Sequence, residues 1–137
     1  MKRCLRSASA GLLGAMLLMA SPFVLAADTS QAVQFQKGTS GAEIKGKITG
    51  SDVSDFTLVA KKGQRMQVYL KSKRLTTYYN VMGPNSSGEA LFNGSMSEGN
   101  YDSILPESGK YTIRVYQMGG VKDDNKTTPF VLKVRIY

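Results

Sequence analysis

From residue 42 onward, apolar side chains recur at every second position, and no sustained i, i+3, i+4 apolar series appears after residue 27. Residues two apart share one face of a strand, so this spacing calls for sheet rather than helix. Residues 42–48 alternate, with Ile44 and Ile48 on one face and Lys45 and Lys47 on the other. Phe56, Leu58 and Ala60 share a face, as do Met66, Val68 and Leu70. Lys61-Lys62-Gly63-Gln64 between these runs reads as a hairpin turn. Tyr78 to Met82 and Ala90 to Phe92 read as shorter strands around Gly83-Pro84-Asn85-Ser86-Ser87-Gly88. Pro106-Glu107-Ser108-Gly109 has turn chemistry, because Pro presets φ and Gly accepts a positive one. It leads into Lys110 to Gln117, where Tyr111, Ile113 and Val115 share one face and Thr112, Arg114 and Tyr116 the other. A polar loop, Met118 to Thr128, then returns the chain to an alternating run from Phe130 to Tyr137. Strands at intervals of roughly 8–12 residues imply an all-β fold: a single antiparallel β-sandwich of about eight strands.

The first 26 residues read as an export signal. Lys2, Arg3 and Arg6 form a basic start, Ala8 to Ala20 is apolar, and Ser21-Pro22 breaks the run. Val24 and Ala26 then sit at −3 and −1 of a cleavage site. The apolar run, about 13 residues, is short of the roughly 20 that cross a bilayer. Cys4 precedes that run, so it is not a lipid-bearing cysteine, and it leaves with the signal. Residues 27–137 form the expected mature domain, with no membrane attachment after cleavage. The most economical compartment is a bacterial periplasm, where disulfides are optional.

The 137 residues include no His and one Cys. That excludes His-based triads, zinc sites with imidazole ligands and Cys-cluster metal sites. Carboxylate chemistry would have to come from Glu43, Asp52, Asp55, Glu89, Glu98, Asp102, Glu107, Asp123 and Asp124, most of them in expected turns. Calcium at Asp52 with Asp55, or at Asp123-Asp124-Asn125, suits a hard cation, but neither has the spacing of a known loop. No catalytic residue, metal or cofactor is expected. Asn85, Asn93 and Asn125 begin glycosylation-type triplets, which carry little meaning in a bacterial periplasm. The net charge of +8 falls to +5 without the leader. A balance of this size suits solubility or an acidic partner. Lys61-Lys62-Gly63-Gln64-Arg65 and Lys71-Ser72-Lys73-Arg74 raise nucleic acid as a third reading, which export argues against.

Leu105-Pro106-Glu107-Ser108-Gly109-Lys110-Tyr111 followed by Thr112-Ile113-Arg114-Val115 resembles the Ser-Gly-x-Tyr motif of bacterial lysozyme inhibitors. With Arg114, Val115 and Gln117 the resemblance is closest to the periplasmic inhibitors of g-type (goose-type) lysozyme. Phe35 to Ser40, Glu43 to Gly46, Phe56 to Gln64, Gly83-Pro84 and Asn125 to Thr127 follow that family's order and spacing. The same Leu-Pro-x-Ser-Gly-x-Tyr stretch is also similar to one in prepeptidase C-terminal domains. Those are small β-sandwiches whose implied role is carbohydrate or peptidoglycan binding, and they supply the alternative reading.

The first resemblance implies a protein partner, a g-type lysozyme, and a rigid loop that enters its cleft. Ser108 Oγ and the backbone at Gly109 would supply short hydrogen bonds there, and Lys110 or Arg114 would pair with the cleft's acids. Tyr111 is either interface or core, since its strand face is apolar. Arg114 points away from that face, so it is either solvated or in contact with the partner. Two further loops would widen the contact: residues 50–54 with Ser51 and Asp52, and residues 117–125, beginning at Gln117.

Overall fold

A computed structural model describes residues 28–137, so the expected leader and Cys4 lie outside the described residues. The inward positions of the alternating runs fill one core between two sheets. The first sheet contains β1 (Thr29–Ala32), β3 (Ser54–Ala60), β5 (Thr77–Met82), β6 (Ala90–Asn93) and β8 (Gly109–Gln117). Its order is β1-β3-β8-β5-β6. The second contains β2 (Gly41–Thr49), β4 (Arg65–Ser72), β7 (Tyr101–Ile104) and β9 (Thr127–Ile136), in the order β2-β9-β4-β7. A single helical turn, α1 (Gly120–Asp123), interrupts the loop between β8 and β9.

Phe56, Leu58, Ile113 and Val115 of one sheet face Ile48, Val68, Phe130, Leu132 and Val134 of the other, all of them buried. Each such large side chain contributes about 1.5–3 kcal/mol relative to exposure. Phe56 and Phe130 meet edge to face at 6.0 Å across the layers. Tyr79 on β5 joins the layers with its hydroxyl, which donates to Val68 O at 2.7 Å and accepts from the Tyr101 N–H at 2.8 Å. Burial pushes its phenol up to about 12.

Three features depart from the sequence reading. Lys61 to Gln64 is not a hairpin, because β3 and β4 lie in different sheets and the segment crosses between layers. Alternation fixes which face of a strand is buried, not which strand lies beside it. Strands β1 and β7 were not expected: every residue of β1 is exposed, and only Tyr101 of β7 is buried, so neither alternates. Strand β1 also runs parallel to β3, the one parallel pairing described. Finally, β9 begins at Thr127 and includes Pro129. The β4 ladder on β9 stops at Phe130, so Pro129 lies where β9 has β2 alone beside it. A missing N–H is tolerated at such a local edge.

Candidate functional site

The expected contact residues do not form one site. Strand β8 begins at Gly109 and ends at Gln117, which puts these residues about 26 Å apart at 3.3 Å per residue. Ser108, Gly109, Lys110 and Tyr111 lie at one end of the sandwich, while Gln117, Ser51 and Asp52 lie at the other.

At the first end, three loops are fastened together. Ser108 Oγ accepts the Lys62 N–H at 2.8 Å. Gly63 N–H donates to Leu105 O at 2.9 Å, and Leu105 N–H donates to Gln64 O at 2.7 Å. The crossing segment 61–64 is thereby tied to the turn 105–109. Gly109 has φ +145°, and a Cβ there would fall 2.7 Å from Pro84 Cβ and 2.9 Å from its Cγ. Both the backbone angle and the space require glycine. Asn85 Nδ2 reaches Glu107 Oε2 at 3.2 Å, which ties in the loop after β5. The Tyr111 ring is completely buried, and its hydroxyl donates to Glu107 O at 2.6 Å. Of the two places left open for Tyr111, the ring takes the core, and the hydroxyl holds the turn from inside. The groups of this clasped end that face solvent include Lys61, Lys62, Lys110, Asn85, Glu107 and the outer side of Ser108.

Gln117, also named among the expected contact residues, is 3% exposed and supports the loops around it. Its Nε2 donates to Lys126 O at 3.0 Å and lies 3.3 Å from Ile48 O and 3.4 Å from Gly50 O. Its Oε1 accepts from Thr128 Oγ1. One side chain thus fixes the β2–β3 turn and the start of β9 from beneath. Above it, Ser51 is exposed, Asp52 closes its turn through its N–H onto Thr49 O at 2.9 Å, and Gly50 packs against Asn125. Met118 N–H donates to Thr76 O at 3.0 Å, bringing the β4–β5 loop alongside. There Leu75 is 93% exposed, next to Arg74, and Met118 is 44% exposed. Sequence reasoning named the 117–125 loop that contains Met118 but passed over Leu75. The signal available was one apolar residue inside the polar run Lys71 to Thr77.

Arg114 sits between the two ends, on the outer face of the first sheet. It is paired through two bonds with Asp55 on β3: Nε to Oδ1 at 2.8 Å and Nη2 to Oδ2 at 2.9 Å. The Asp55 carboxylate raises its pKa further. Arg114 is therefore neither simply solvated nor free for a partner, and an incoming acid would compete with Asp55. Asp102 is held below the usual carboxylate range by hydrogen bonds from Arg65 and then Gln67. Glu43 lies 3.6 Å from Lys133. Among the described residues, no group of three or more acidic residues stands close enough to hold a metal.

The architecture defines a small two-sheet β-sandwich that carries its exposed chemistry on end loops and on one lysine-lined sheet face. No family model matches the sequence. The inhibitor of g-type lysozyme from Escherichia coli K12 is 35% identical over 115 residues, covering 81% of this chain and 84% of the relative. The chain belongs to that inhibitor family. The crystal structure of the periplasmic inhibitor of g-type lysozyme from Aeromonas hydrophila superposes with a TM-score of 0.72 at 38% identity, over 80% of this chain and 96% of that one. The prepeptidase C-terminal domain of a Bacillus anthracis collagenase reaches a TM-score of 0.53 at 16% identity, over 80% and 95% of the two chains. That likeness is one of fold alone.

Proposed function

We propose that the protein is a periplasmic inhibitor of g-type lysozyme, a binding protein without chemistry of its own that seats one end of the sandwich in the enzyme's cleft. Family membership supports the target, and the export-type leader supports the compartment. A glycosidase cleft holds catalytic carboxyl groups and hydrogen-bonds a sugar chain. Its complement is a stiff tip with cationic and hydrogen-bonding groups, ordered before association so that little entropy is lost on binding.

Two tips qualify. The motif reading seats Ser108-Gly109-Lys110-Tyr111 in the cleft. That turn keeps Lys61, Lys62, Lys110 and the Ser108 hydroxyl proton for a partner, while Tyr111 and Gly109 act only by holding it. The observation that favours the opposite tip is Leu75, almost wholly bare beside Arg74 and Met118. Interface cores are enriched in aromatic residues, Met and Arg and depleted in Lys, which sets Arg74 and Met118 against the lysines of the other end. We therefore assign the cleft to the end that carries Ser51, Asp52, Arg74, Leu75 and Met118.

Lysis of a cell-wall suspension by a g-type lysozyme tests both levels. If equimolar protein leaves lysis unchanged, the inhibitor reading fails. If inhibition holds, Arg74→Ala with Leu75→Ala should weaken it about 100-fold, while Lys61→Ala, Lys62→Ala and Lys110→Ala together should change it less than about threefold. The reverse ranking would return the cleft to the Ser108 turn.

A further inference from the structure

The outer face of the second sheet carries a groove that neither end uses. Lys45 and Lys47 of β2 stand along one side, Lys71 of β4 and Lys73 just after it along the other, and Pro129 and Val131 of β9 form the floor. The register puts Lys45 and Lys71 both opposite Val131, and Lys47 opposite Pro129. The two walls are therefore two strand spacings apart, about 10 Å, and Lys45 and Lys47 along β2 are about 7 Å apart. The groove encloses about 480 Å³. None of the four lysines has an acidic partner among the described residues, and the nearest acid on this face, Glu43, is engaged by Lys133. Four unpaired like charges around an apolar floor oppose one another until an anion enters.

We infer that this groove binds a segment of peptidoglycan, the lysine walls pairing with carboxylates of the glycan–peptide chain and the Pro129–Val131 floor packing against its apolar groups. The shape selects a linear polymer. The floor is recessed between the lysine rows, so a flat bilayer would meet the ammonium groups but not the apolar surface. A chain lying along the groove meets both. Among linear polyanions, the choice of the wall polymer rests on the periplasmic reading above. Such binding would hold the inhibitor on the polymer its target enzyme must approach.

The test is co-sedimentation of the leaderless protein with insoluble sacculi, without lysozyme, so that its outcome is independent of inhibition. At about 50 mM salt the protein should pellet, and at about 500 mM it should be released, because screening removes attraction between exposed charges. Lys45→Gln with Lys71→Gln should weaken pelleting at least about tenfold, and Lys45→Glu with Lys71→Glu should abolish it. Both variants should keep the wild-type melting temperature and inhibition of lysozyme. Sacculi with their carboxyl groups amidated should no longer retain the protein. The proposal is overturned if wild type stays in the supernatant, or if amidated sacculi or the charge-reversed variant bind undiminished. It is equally overturned if vesicles of phosphatidylglycerol and phosphatidylethanolamine bind more tightly than sacculi, which would assign the groove to a lipid surface.

Discussion

At one end of β8, Gly109 is pressed under Pro84 while Ser108 and Tyr111 fasten the neighbouring backbone. At the other, Gln117 gathers three carbonyl groups from below and leaves the side chains above it, Leu75 and Met118, open to water. The first end carries the motif a sequence reader notices; the second carries almost none. Yet the polar atoms of the motif are engaged mostly within the fold, whereas the unremarked end keeps an apolar tip on a buried anchor. A short motif can mark how a turn is built without marking what the turn touches.

Four measurements would break or sharpen this contrast. The largest effect belongs to Tyr111→Ala, which empties a buried ring site and frees the Glu107 carbonyl. Chemical denaturation should show a loss of about 3–5 kcal/mol, and a loss under about 1 kcal/mol would contradict the core assignment. Next is Gln117→Ala, which leaves buried carbonyls and the Thr128 hydroxyl without a partner. It should cost about 2–3 kcal/mol and, unlike Tyr111→Ala, should loosen residues 118–126 selectively in hydrogen exchange. Gly109→Ala follows, at about 1–3 kcal/mol, from a forced positive φ and a contact with Pro84. Its inhibition of lysozyme, measured where it remains folded, should match wild type if the opposite end enters the cleft. The smallest effect is one of pH at the clasped end, where Arg65 holds Asp102. The folded carboxyl titrates below its unfolded value, so its stabilisation is complete above the ordinary Asp range, near pH 4, and is lost as pH falls through the depressed folded value. Asp102→Asn should flatten the acid limb of a stability–pH curve, and an unchanged limb would show that this exposed pair contributes nothing.

Much of the fold was legible because burial on one face imposes period two. Phe56, Leu58, Met66, Val68, Tyr111, Ile113 and Val115 were each assigned the inward face they occupy. Strand neighbours were not legible: β3 and β4 are joined by four residues, yet each pairs with partners far along the chain. Strands β1 and β7 left no pattern, since they are held by backbone hydrogen bonds with little side-chain burial. The candidate site was legible only in part, for a related reason. Turn chemistry announced the bend at Pro106 to Gly109, but the Ser108 link to Lys62 joins residues 46 apart. Arg114 was placed on the correct face, while the acid opposite it, Asp55, depended on a pairing that alternation could not reveal.

The parallel strand β1 closes one edge of the first sheet. Its first residue, Thr29, lies just beyond the expected cleavage point, and apart from a Thr29 hydroxyl bond to Ser54 Oγ at 3.2 Å its exposed residues join the sheet through main chain. They nevertheless cover the row of peptide groups along β3 that would otherwise stand open as a template for a second molecule. Loss of residues 29–32 would leave most of the core in place and bare that row. The damage would show not as unfolding but as molecules adhering edge to edge.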